Sequence, residues 1–290
     1  MQAWMLAARP ATLWAAITPV VIAAALAEWS DSLRPAAFAV TLFIAIAMQI
    51  GVNIANDVAD AAKGADDASR IGPPRAVASG LLTPRQAWIG VWTVFSLAGI
   101  AALYLVAIAG WVVILLGLAA VAAAIGYTSG PAYGYHGLGE LFVFVFFGLV
   151  ATVGARYVHD RTAPAEAWVL GAVVGLLITA ILVANNLRDI DTDAAAGKRT
   201  LAVRLGRQRT RWLYAGCVVG AFVLVAVFSA AGTIPAGTAL GLVVVPAAVP
   251  LVQIAFTEVA GPPLIRLLAG TSHLQGAFGM VAAVGIIWLG

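Results

Sequence analysis

Apolar residues run in long unbroken stretches along this chain, and polar residues gather between them. Stretches at 11–27, 36–55, 87–109, 111–128, 139–157, 166–186, 212–231, 234–254 and 274–290 each approach the length of about 17–25 residues that one helical bilayer crossing requires. None shows the period-two alternation of a membrane-spanning strand. The pattern predicts an all-α integral membrane protein of about nine transmembrane helices. No polar stretch between the runs is long enough for a soluble domain, so residues 1–290 read as a single polytopic membrane domain. The run opening at Ala11 is too long for a signal-peptide core and is read as the first span.

Composition agrees. Hydrophobic residues make up 62% of the 290 and charged residues only 10%, against about 45–50% and 25% in soluble domains. So few charges cannot cover a water-soluble surface, and the partner of most of this surface is a lipid bilayer. The sequence pI near 9.3 does not point to nucleic acid, because the basic residues sit in short loops between apolar runs. The lone cysteine, Cys217, excludes an internal disulfide and reads as a packing residue. The nine Trp read mostly as interfacial or packing residues.

The placement of charge sets an orientation. With the N-terminus cytoplasmic, Arg9, Lys63, Arg70, Arg75, Arg85, Arg188, Lys198, Arg199, Arg204, Arg207, Arg209, Arg211 and Arg266 all fall inside. Only Arg34, Arg156 and Arg161 fall outside, a bias that satisfies the positive-inside rule. The outer group Arg156, His159, Asp160 and Arg161 reads as a solvated loop. The expected location is the cell inner (plasma) membrane.

The acids cluster on the same side. Asp57, Asp60, Asp66 and Asp67 follow the second span, and Asp189, Asp191 and Asp193 follow the sixth. Continued as a helix, Asn53, Asn56, Asp57 and Asp60 form one polar stripe at i, i+3, i+4 and i+7. Asn185, Asp189 and Asp193 form another. The pattern Asn-x-x-x-Asp occurs at both Asn56–Asp60 and Asn185–Asp189, a weak internal repeat of about 130 residues linking segments 53–67 and 185–193. Four spans separate the copies, so both face the same way, as in a parallel repeat.

Carboxylates massed at a membrane edge repel one another and call for a cation. Mg²⁺ prefers oxygen ligands and usually binds one or two carboxylates plus phosphate oxygens. The expected metal ligands are Asn56, Asp57, Asp60, Asp189 and Asp193, with the four aspartates carrying catalysis. Lys63, Arg70, Arg75, Lys198 and Arg199 are the expected contacts to a bound diphosphate. The bland alternative is a solvated loop whose acids pair with Lys63, Arg70 and Arg75, and the second cluster weakens it. A cation-coupled transporter is the alternative from another class, but it calls for isolated charges near the bilayer midplane.

Asn56-Asp57-x-x-Asp60 and Asp189-x-x-x-Asp193-x-x-x-Gly197 resemble the two signature segments of the UbiA superfamily of intramembrane prenyltransferases. Four further stretches resemble its 1,4-dihydroxy-2-naphthoate (MenA) branch: Ala8-Arg9-Pro10-Ala11-Thr12-Leu13; Lys63-Gly64-Ala65-Asp66 with Arg70 to Arg75; Tyr127 to Pro131 with Gly134 to Glu140; and Asn185 to Asp189 with Gly197 to Gly206. Many members carry a third Asp where this chain has Gly64, and here the acid falls at Asp66. The resemblance implies a ring of helices around a central cavity and Mg²⁺-dependent transfer from a polyprenyl diphosphate to 1,4-dihydroxy-2-naphthoate. CO₂ and diphosphate are lost and demethylmenaquinone forms. Other aromatic acceptors, such as 4-hydroxybenzoate or homogentisate, remain the nearest alternative. Asn53, Asn56, Asp66, Tyr127 and Asn185 are the expected supporting residues. His136 and Glu140 stand in a Gly-rich loop that either caps the site, helps bind the acceptor or is a plain turn.

Overall fold

The computed structural model describes residues 2–62 and 74–290. Lys63, Asp66 and Arg70 lie outside them. Among the described residues every regular element is helical. A short helix α1 (Gln2–Ala8) and a 3₁₀ turn lead into α2 (Trp14–Trp29). The break falls at Arg9, in the left-handed region at φ 51°, immediately before Pro10. Long helices follow: α3 (Pro35–Ala62), α4 (Pro84–Ala109) and α5 (Val112–Gly126). Next, α6 (Gly139–Val143), a π-helical stretch (Phe144–Val150) and α7 (Ala151–Asp160) make one continuous rod. Then come α8 (Ala165–Arg188), the short α9 (Ile190–Ala195), α10 (Leu201–Ala230), a 3₁₀ segment running into α11 (Val245–Thr257), and α12 (Pro262–Leu289).

Among the described residues seven helices are long and apolar enough to cross a membrane, and the bent pair at the N-terminus makes an eighth. The remaining predicted span is α5, apolar but only 15 residues long. Two helices begin well before their predicted spans, α10 at Leu201 and α12 at Pro262. Arg204, Arg207, Arg209 and Arg211 lower the apolar signal in the first, and Arg266, Ser272, His273 and Gln275 in the second. Local chemistry sets several boundaries. Thr83 closes a capping box on α4, its hydroxyl accepting from Gln86 N at 3.2 Å, with Pro84 at the first helical position.

Helix α8 is the hub. Leu170, Val173, Val174, Leu177, Ala180, Val183, Ala184 and Leu187 are fully buried along it, against α10, α12 and the π-helical stretch. The last contact is a glycine crossing: a Cβ on Gly148 would overlap Gly175 Cα, so the two backbones touch directly. Outward faces carry Trp92, Ile100, Leu103, Leu118, Val227 and Trp288, all exposed, as a lipid-facing surface requires. Cys217 is buried in the core with Val218 and Ala221, in the packing role expected of it.

One expectation is corrected here. Arg156 and His159 are buried on α7, not solvated in a loop. Arg156 Nη2 donates to Asp160 Oδ2 at 2.7 Å and to Ser30 Oγ at 2.9 Å. His159 Nδ1 accepts from Arg34 N at 3.1 Å. The helix runs one turn beyond its apolar run, and Asp160 on that turn pairs with Arg156. The α2–α3 connection folds over Arg156 and His159, Ser30 accepting from the first and Arg34 N donating to the second. Arg161 alone is an exposed turn residue, at φ 63°.

Candidate functional site

The helices enclose a cavity of about 440 Å³, lined from α2, α3, α4, α5, the α6–α7 rod and α8. Its lining on α3 runs from Thr41 to Asp60, about 28 Å at 1.5 Å per residue, close to the thickness of the hydrocarbon core. Most of the wall is apolar. Polar groups concentrate at one end, where α3 finishes and α8 gives way to α9.

The two predicted stripes meet there. Lys198 Nζ lies 3.3 Å from Asp60 Oδ1 and 3.6 Å from Asp193 Oδ1, so one ammonium joins carboxylates from the two halves of the chain. Its position is set locally. Gly197, at φ 74°, turns the chain out of α9, and Thr200 caps α10 by accepting from Val203 N. The Tyr135 ring lies under the ammonium at 4.8 Å, and its hydroxyl donates to Asp60 Oδ1 at 2.6 Å. Arg75 Nη2 stands 4.0 Å from Asp60 Oδ2.

Asp189 is held differently. Arg188 grips it through Nε to Oδ1 at 2.6 Å and Nη2 to Oδ2 at 2.5 Å, and also reaches Asn185 Oδ1 at 3.0 Å. Neighbours in a straight helix point apart, but α8 ends at Arg188 and Asp189 has left helical geometry at φ −98°, ψ 10°. The two side chains fold together as a result. Asn56 Oδ1 accepts from Thr128 Oγ1 at 3.0 Å.

The structure thus brings Asn53, Asn56, Asp60, Arg75, Tyr127, Asn185, Asp189, Asp193 and Lys198 to one cavity. Two expected residues are not brought there. Asp57 is 1% exposed and its Oδ2 accepts from Ala76 N at 3.0 Å and Val77 N at 3.3 Å. At 100° per residue, Gln49, Asn53, Asn56 and Asp60 fall within about 60° of one another, while Asp57 stands about 60° away from Asp60. That rotation turns it from the cavity onto the loop backbone. Arg199 is exposed and lies off the cavity; its backbone N–H donates to Tyr135 O at 3.0 Å, which ties this loop to the one carrying Tyr135.

Sequence reasoning missed Thr128, Tyr133, Tyr135, Asn186 and Gln49, all lining the cavity. The Gly-rich loop held the signal for Tyr133 and Tyr135. Glu140, buried, accepts from Asn186 Nδ2 at 2.9 Å, so this loop is packed over the site, while His136 is exposed. Tyr133 stacks on Phe142 at 3.8 Å, and Phe142 on Phe146 at 6.0 Å, forming an aromatic flank below the acids.

Burial pushes the Asp193 carboxyl up to about 6, against the pull of Lys198 and with the help of Asp189 and Asp60. Among the described residues no three acid, His or Cys side chains converge tightly enough to cage a metal unaided. The donor set is nevertheless all oxygen, and a cation already sits between two of the carboxylates. That fits Mg²⁺, which completes its shell with phosphate and water oxygens.

Known proteins resemble this chain in sequence and in fold. A 1,4-dihydroxy-2-naphthoate octaprenyltransferase of Mycobacterium tuberculosis is 44% identical over 222 residues, 76% of each chain. The enzyme of that name from Mycobacterium leprae is 39% identical over 269 residues, 92% of this chain and 90% of its own. A solved UbiA homolog from Archaeoglobus fulgidus bound to DMAPP and Mg²⁺ aligns at TM-score 0.64 and 13% identity, covering 97% of this chain and 99% of that one. Residues 16–262 match the UbiA prenyltransferase family, and the chain belongs to it.

Proposed function

We propose that this protein transfers a polyprenyl group from its diphosphate to 1,4-dihydroxy-2-naphthoate, releasing CO₂ and diphosphate and giving demethylmenaquinone. The observation that carries the reading is Lys198 held between Asp60 and Asp193, which joins the two acid stripes at the head of an apolar cavity. The acceptor is supported by the mycobacterial relatives, whose names state that substrate.

Asp60, Asp189 and Asp193, with the amide oxygens of Asn56 and Asn185, would hold Mg²⁺. When bound, the metal supplies Lewis-acid neutralisation of the departing diphosphate. Lys198 and Arg75 add charge-assisted hydrogen bonds to the same oxygens, and Lys63 and Arg70 extend that group. Asp57 anchors the loop that carries Arg75 and does not itself touch metal. Tyr133, Phe142 and Phe146 offer aromatic faces to the allylic cation, and the apolar wall keeps water from it.

The bond changes balance. The C–O bond to diphosphate breaks with its electron pair on oxygen. A new C–C bond forms to the ring carbon bearing the carboxylate. That carboxylate then leaves as CO₂, returning its bonding pair to the ring. The related Asn56–Asp60 and Asn185–Asp189 segments are read as two copies of one ancestral half. The N-terminus and both acid segments face the cytoplasm from the inner membrane.

The test is incubation of the purified protein with 1,4-dihydroxy-2-naphthoate, a labelled polyprenyl diphosphate and Mg²⁺, followed by product mass. Mg²⁺-dependent product with the mass of the prenylated, decarboxylated ring supports the reading. Product only with 4-hydroxybenzoate or homogentisate reassigns the acceptor. Cation flux in vesicles without turnover supports a transporter instead.

A further inference from the structure

At the lower end of the α3 stripe, below Asn56 and Asp60, the cavity wall carries polar groups to which the reaction as proposed gives no role. Arg9, Thr12, Gln49 and Asn53 line it, from the α1–α2 break and from α3. Gln49 lies in the apolar part of α3 yet is only 7% exposed, and its Oε1 is buried with no hydrogen-bond partner among the described residues. An orphaned buried carbonyl is costly to keep.

The hydrogen-bond chain fixes which atom is left over. Asn53 approaches Ala8 O at 2.8 Å, which only its Nδ2 can do as donor. Thr12 Oγ1 spends its hydrogen on Arg9 O at 2.9 Å, so it can only accept, taking Asn53 Nδ2 at 3.0 Å and Gln49 Nε2 at 3.2 Å. Gln49 Nε2 also meets Asn53 Oδ1 at 3.5 Å. Flipping the Gln49 amide would set oxygen against two acceptors. The network thus locks Oε1 as an acceptor awaiting a donor.

We propose that this wall is the subsite for the aromatic acceptor: Gln49 Oε1 accepts from a ring hydroxyl, and the Arg9 guanidinium pairs with the ring carboxylate. Gln49 lies seven residues below Asn56, about 10 Å along the helix axis. That is room for a bicyclic ring beside the reacting end of a diphosphate held at Asn56 and Asp60. The pairing of a hydroxyl acceptor with a guanidinium selects a hydroxylated aromatic acid over a neutral quinol, Arg being suited to bidentate carboxylate contact. The inference rests on the prenyltransferase reading.

The experiment uses the full-length protein with Gln49→Met, which keeps side-chain volume without the amide, and Arg9→Gln. Expected for Gln49→Met is a rise of about tenfold in KM for 1,4-dihydroxy-2-naphthoate, the loss of one buried hydrogen bond, with KM for the prenyl diphosphate unchanged. Two competitors sharpen it. Arg9→Gln should weaken inhibition by 1-hydroxy-2-naphthoate and leave inhibition by 1,4-naphthalenediol unchanged. Gln49→Met should weaken the diol as well. Equal rises in both KM values, or none, would overturn the subsite while leaving the reaction intact. Failure of the wild-type protein to turn over the naphthoate would remove the prenyltransferase reading and the subsite with it. Retained binding of prenyl diphosphate serves as the folding control for each variant.

Discussion

The ends of α3 and α8 carry the same short pattern, Asn56-x-x-x-Asp60 and Asn185-x-x-x-Asp189, but the fold neutralises them in different ways. Asp189 is gripped by its own neighbour Arg188, whose side chain is 3% exposed. Asp60 is met by Lys198, 138 residues away in sequence. The first is a local clamp, formed wherever α8 ends. The second exists only when the two halves have come together. Like motifs are therefore held in unlike ways: the α8 acid is positioned by a cation on its own helix end while still lining the cavity, and the α3 acid is met by an exchangeable cation from the other half.

The largest test of that contrast is Arg188→Leu. It leaves the Asp189 carboxylate without its clamp, and breaking a buried pair this way costs about 3–5 kcal/mol; thermal unfolding in detergent should fall accordingly, with activity lost alongside. Asp60→Asn should come next. It keeps shape but removes charge from the exchangeable site, and loss of an electrostatic stabiliser of this kind costs about 10²–10³ in kcat with little change in melting temperature. If Asp60→Asn unfolds the protein while Arg188→Leu does not, the division of labour is reversed.

Asp57→Ala is smaller and of another kind. Two buried backbone N–H groups lose their acceptor, at about 1–3 kcal/mol each, and the loop bearing Arg75 loosens. The Mg²⁺ concentration for half-maximal rate should hardly move, whereas a direct ligand would shift it greatly. The smallest effect is on pH. Asp193 titrates near 6, and a proton competes with metal for its carboxylate. The half-saturating Mg²⁺ concentration should rise by about tenfold per pH unit below that value, each unit being worth about 1.4 kcal/mol. Without metal the sign for stability is opposite. Native Asp193 keeps its proton where the unfolded chain has lost it, so its contribution falls as pH climbs from 3.8 to about 6.

Much of this molecule can be read from its sequence, because lipid imposes one requirement everywhere: backbone groups must be paired within helices. That made the helices and the all-α fold legible, and the massed acids made the convergence of Asp60 with Asp193 expected. What was not legible depends on rotation and distance. One residue's turn around α3 separates Asp57 from Asn56, enough to move it from cavity to loop. Arg156 and His159 looked solvated because the chain that covers them comes from another connection. Thr128 and Tyr135 lie inside stretches that resemble the family, but nothing in those stretches says which distant helix end they meet.

The bridge made by Lys198 has a consequence for how the protein matures. A side chain covalently attached to the fold already balances the charge between its two halves, so assembly need not wait for divalent ions. Newly inserted chains should reach their final shape in chelator, inert but intact, and become active within the time of metal diffusion once it is restored. Many small metalloproteins behave otherwise, remaining unfolded until their ion arrives.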